Sequence, residues 1–112
     1  MSKSEQRKAA IAAFRGRKPR MGIYAMRCLA SGAVWVGRSS DLGAIRNRTL
    51  FTLAQGTCPD RTLQDAWDRA GSDNLVFEEV ELLVEELATG LQDLWLKQRL
   101  LHWVTKMNAK RI

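Results

Sequence analysis

The sequence predicts an α+β domain, a small sheet flanked by helices. Three observations predict it. Two short apolar runs, residues 22–29 and 33–37, are joined by the small-residue link Ala30-Ser31-Gly32 and read as a β-hairpin. Two segments with helix caps, apolar stripes and glycine stops follow between Asp41 and Gly71. A third strand-like run over 75–82 then precedes a long amphipathic stretch.

The elements follow in order. Ser2-Lys3-Ser4-Glu5 is a capping-box pattern, and the Ala-rich residues 5–15 favour helix, with Gly16 as terminator. Arg17-Lys18-Pro19-Arg20 is a basic linker into the hairpin. Beyond the hairpin, Ser39-Ser40-Asp41 offers an N-cap to a helix whose apolar positions are Leu42, Ile45, Leu50, Phe51 and Ala54, ending near Gly56. Pro59-Asp60 starts a shorter helix with Leu63, Ala66 and Trp67 as its buried stripe and Gly71 as its stop. The run 75–83 reads as a strand carrying Glu78, Glu79 and Glu81, an acidic cluster unusual for a nucleic-acid face. From residue 85 to about 107 the chain is helical in pattern, with Leu96, Leu100, Trp103, Val104 and Met107 recurring at i, i+4, i+7, i+8 and i+11. The division expected is a basic helical arm, residues 1–20, and a folded domain, residues 21–112.

A chain of 112 residues, 46% apolar, is one small domain. The charge of +6 is unevenly spread. Residues 1–20 hold seven Lys/Arg and one acid, residues 97–112 five and none, and residues 21–96 six against eleven acids. Basic ends suit phosphate contacts or another anionic partner, although a solvated arm and helix face have the same composition. No apolar run approaches the ~18 residues of a membrane span, and the polar, basic N-terminus has no signal-peptide core. Cys28 and Cys58 lack CxxC spacing, which predicts a reduced, cytoplasmic protein with free thiols.

Gly22-Ile23-Tyr24 and Trp35-Val36-Gly37, with ten residues between them, resemble the paired signature of the GIY-YIG nuclease family. The element order from residue 22 to about 104 resembles the family as well, including the short helix Leu63-Gln64-Asp65-Ala66-Trp67, then Gly71, then the strand through Phe77-Glu78-Glu79-Val80. The resemblance implies a central three-stranded antiparallel sheet and phosphodiester hydrolysis with one divalent cation, Mg²⁺ or Mn²⁺. It implies four site groups: two hairpin tyrosines, an arginine on the first helix after the hairpin, and a metal-binding glutamate on the last helix.

Carried over residue by residue, the set is altered. Tyr24 matches the first tyrosine. Trp35 stands at the second, and an indole N–H donates but cannot act as a base. Ile45 occupies the usual arginine position, leaving Arg46 and Arg48 as candidates. Arg48 shares the Ile45 helix face, whereas Arg46 is turned by about 100°. Gln98 occupies the expected metal-ligand position, a poorer ligand for a hard cation than a carboxylate. Asp93 is the nearest acid on that helix, off the Gln98 face; either it substitutes as the metal ligand or the metal site is lost. His102, the sole histidine, reads as structural. The expected function is a nucleic-acid-binding, DNA-directed domain with weak or lost metal-dependent cleavage. The alternatives are an active endonuclease with a rearranged site, or a protein-interaction module, which solvent-exposed Trp95 or Trp103 would mark.

Overall fold

A computed structural model of the chain describes residues 20–84 and 86–112. The expected helix over 5–15 and the basic arm before Arg20 lie outside the described residues. β1 (Gly22–Cys28) and β2 (Val34–Ser39) form the antiparallel hairpin, in a register that sets Tyr24 opposite Gly37 and Met26 opposite Trp35. The turn closes where expected. Gly32 takes a left-handed φ of 77° and donates its N–H to Cys28 O at 2.8 Å.

Both intermediate helices begin and end on the residues whose chemistry marks them. In α1 (Leu42–Gln55) the Asp41 carboxylate accepts from Ala44 N at 3.1 Å, and Gly56 stops the helix at φ 78°. In α2 (Arg61–Ala70) Asp60 accepts from Leu63 N at 3.1 Å, and Gly71 is the stop. A 3₁₀ turn, Ser72–Asn74, leads into β3 (Leu75–Leu82), which pairs antiparallel with β1 and slips register between Ile23 and Tyr24.

One boundary is corrected and one strand is added. The last helix, α3, runs Thr89–Lys106, so it starts later than residue 85; Ala88 is extended at its N-cap and offers no side-chain cap. The sheet also has four strands, in the order β3-β1-β2-β4. The expected antiparallel trio is present, and β4 (Lys110–Arg111) adds to β2 in parallel. Asn108, at φ 49°, turns the chain out of α3 to make this possible.

Strand alternation sorts the side chains onto two faces. Met26, Cys28, Trp35 and Leu75 meet Leu53 of α1 and Leu63 of α2 on one face. Ile23, Ala25 and Val36 meet Leu96 and Leu100 of α3 on the other. β1 is covered on both sides, which is why its sequence reads as a nearly unbroken apolar run. Burying each large aliphatic side chain stabilises the fold by about 2 kcal/mol.

The acidic cluster of β3 is neutralised locally. Glu79 pairs with Arg20 at 2.6 Å, Glu78 with Arg27 at 3.2 Å and Glu81 with Arg99 at 2.5 Å. Glu81 also accepts from the Trp103 indole at 2.8 Å. Burial pushes the Glu81 carboxyl up, but the hydrogen bonds from Trp103 and Arg99 outweigh it and hold the group below the ordinary glutamate range. A depressed folded pKa contributes stability that is complete above the unfolded value and is lost as pH falls through the folded one. The urea midpoint of the wild type is therefore expected to fall more steeply than that of Glu81→Gln as pH drops below the ordinary glutamate range. Parallel midpoint curves would show that the Glu81 charge adds nothing.

Candidate functional site

Tyr24 projects from β1 to the face covered by α1 and α2. Its ring lies over the β2 backbone at Gly37, where an added Cβ would come within 2.5 Å of the phenol oxygen, and stacks on Phe77 at 5.2 Å between centroids. Only 5% of the residue is exposed. Burial first, and the nearby Cys58 second, raise the pKa of the phenol. A phenol that keeps its proton is a donor to an anion and a poor base.

Tyr24 forms one wall of a cleft of about 500 Å³. Arg48, Thr49 and Thr52 of α1 face it, and Cys58 and Asp60 come from the link to α2. Ile45 lines the same cleft, one turn before Arg48. Of the two candidate arginines, Arg48 lines the cleft and Arg46 does not. Arg48 is exposed and forms no ion pair among the described residues. The cleft can therefore present a neutral O–H and a guanidinium to one phosphate group.

Trp35 takes no part in that wall. It is 3% exposed, packs in the core beside Leu53 and Leu63, and donates its indole N–H to Thr62 Oγ1 at 2.8 Å. Thr62 in turn donates to Asp60 Oδ1 at 2.5 Å. Asp60, the cleft carboxylate, thus takes both its helix cap and the Thr62 hydroxyl on Oδ1.

Asp93 lies on α3 and does not line the cleft. Its carboxylate is bound by Arg38 at 2.8 Å and Lys97 at 3.1 Å, and hydrogen bonds from Lys97 and then Arg38 hold its pKa below the ordinary aspartate range. Arg38 follows Val36 in the strand alternation, so this cluster belongs to the α3 side of the sheet. Gln98 is exposed and also outside the cleft. His102 rests edge-on against Trp103 at 5.2 Å. Trp95 and Trp103 are half-buried against the α3-side core.

Among the described residues no three His, Cys, Asp or Glu side chains come together as a metal-ligand set. The donors that line the Tyr24 cleft do not fit a divalent cation, which needs several free oxygen ligands. Sequence reading missed Cys58 and Asp60 as cleft residues. The cap signal located Asp60 in the chain, but its place beside Tyr24 depends on how the α1–α2 link packs across the sheet.

No family model and no curated protein matches the chain. Two solved structures resemble it. The catalytic domain of homing endonuclease I-TevI superposes with a TM-score of 0.63 at 20% identity, covering 82% of this chain and 97% of that one. A point mutant of the catalytic domain of intron endonuclease I-TevI gives 0.65 at 22% identity, over 80% and 84% of the two chains. No helix among the described residues is long and apolar enough to cross a membrane. The fold that the two hairpin tripeptides predicted is the fold observed: this chain has the GIY-YIG nuclease fold.

Proposed function

We propose that this domain binds nucleic acid, DNA in preference to RNA, and that its metal-dependent phosphodiester cleavage is weak or lost. One observation carries the reading. Tyr24 and Arg48 share a cleft suited to a phosphate, while that cleft is lined by a single carboxylate, Asp60, whose Oδ1 caps α2. Binding is supported by the basic ends of the chain and by a nuclease-like fold.

Duplex DNA should bind with a Kd on the order of micromolar or weaker, with affinity falling steeply as salt is added, because each neutralised phosphate releases counterions. Deleting residues 1–20 should weaken binding and flatten the salt dependence. Fluorescence anisotropy across a salt series measures both. No detectable binding at low salt would end this reading and favour a protein partner.

A second reading, an endonuclease with a rearranged site, draws on the same cleft, since Tyr24, Arg48 and Asp60 line it together. A metal-dependent cleavage assay separates the two.

A further inference from the structure

We propose that the groove between β2, α3 and β4 is a second contact surface for the sugar-phosphate backbone of duplex DNA, bordering the Tyr24 cleft at Ile112. The inference rests on the nucleic-acid reading above and names where the strand runs beyond Tyr24 and Arg48.

The groove, about 450 Å³, is lined by Arg38, Lys97 and Arg111, with Leu100, Leu101 and Ile112 as its apolar floor. These side chains come from three elements that meet only in the folded domain. Asp93 bridges Arg38 and Lys97, fixing both cations at the wall while neutralising one charge of three. Arg111 forms no ion pair among the described residues. The pairing of Val36 with Arg111 in the β2–β4 ladder, and the bond from Ile112 N to Val36 O at 2.9 Å, seat this end of the chain. Ile112 lines both the groove and the Tyr24 cleft, so the two hollows, on opposite faces of the sheet, border one residue at its β4 edge.

The chemistry selects the occupant. Anchored cations beside an aliphatic floor suit phosphates and sugars. No aromatic ring lines the groove, so there is no stacking platform of the kind that single strands use.

The test pairs Lys97→Gln with Arg111→Gln, both exposed positions, and measures binding of a short DNA duplex from low to moderate salt. Affinity at low salt is expected to fall about tenfold, and the slope of log K against log salt to flatten by roughly 2, one phosphate contact per lost cation. The control is Arg61→Gln with Arg69→Gln, two exposed α2 cations outside both hollows. An equal loss in the control would assign the effect to net charge and overturn the groove. An unchanged slope in Lys97→Gln/Arg111→Gln, with wild-type binding intact, overturns the groove and leaves the proposed function standing. Absence of binding by the wild type overturns both. Poly-glutamate that displaces the duplex at equal charge concentration would assign the groove to an acidic protein partner instead.

Discussion

Gly22→Ala is expected to cost on the order of 3–5 kcal/mol and to leave most of the chain unfolded at moderate temperature, given the usual marginal stability of small domains. The added Cβ would run into the Glu81 carbonyl and lie 3.1 Å from Leu82 Cα. Both obstacles are backbone, at the register slip between β1 and β3, so relief requires the central ladder to separate. Gly37→Ala meets a different obstacle, the Tyr24 ring, which a side-chain rotation can clear at the expense of its stack on Phe77. It should therefore cost less than Gly22→Ala, and adding Tyr24→Ala to it should cost less than the sum of the two single changes. Urea unfolding followed by circular dichroism measures each variant. Gly22→Ala within 1 kcal/mol of wild type would show that β3 yields easily and that the motif glycine has no steric role.

Plasmid nicking by the purified protein with Mg²⁺ or Mn²⁺ should be weak or undetectable. A lost general base alone removes about 10²–10⁴-fold in rate, and a lost metal ligand removes Lewis-acid stabilisation as well. Tyr24 holds its proton through burial and then through Cys58, and Trp35 is a donor buried against Thr62. Gln98→Glu with Trp35→Tyr, the pair that the signature singles out, should not restore cutting, because neither residue lines the cleft. Robust cleavage by the wild type, abolished by Tyr24→Phe, would reverse this conclusion and make Tyr24, Arg48 and Asp60 a working site.

What could be read in advance divides by range of interaction. Asp41, Gly56, Asp60 and Gly71 announced their helix ends because each acts on backbone groups within a few residues. The hairpin and β3 were legible from strand-type patterning, and the glycines of the two tripeptides are now explained by what a Cβ would strike. β4 was not legible: two residues have no period, and they pair only because Asn108 turns the chain back along β2. The start of α3 was placed too early because Ala88 carries no capping side chain to mark it. The site followed the same rule. Helix geometry puts Arg48 on the Ile45 face, and both residues line the cleft, a placement that local spacing does encode. That Asp93 turns to Arg38 and Lys97, and that Cys58 approaches Tyr24, depends on tertiary packing that no local spacing encodes.

β1 is the hub of the sheet, and its two neighbours reach it at different entropic cost. β2 arrives through the short link 29–33, whereas β3 arrives only after the intervening residues have been laid down as α1 and α2. Loop-closure entropy grows with the length enclosed, so the hairpin is the local, fast element of folding and the β1–β3 ladder the slow, long-range one. The walls around Tyr24 come from the hairpin, α1, the link before α2, and Ile112 beyond the last helix. A nascent chain or fragment that ends before Ile112 therefore carries both signature tripeptides but lacks one wall of the cleft. The cleft is complete only when β4 pairs with β2 and brings Ile112 beside Tyr24.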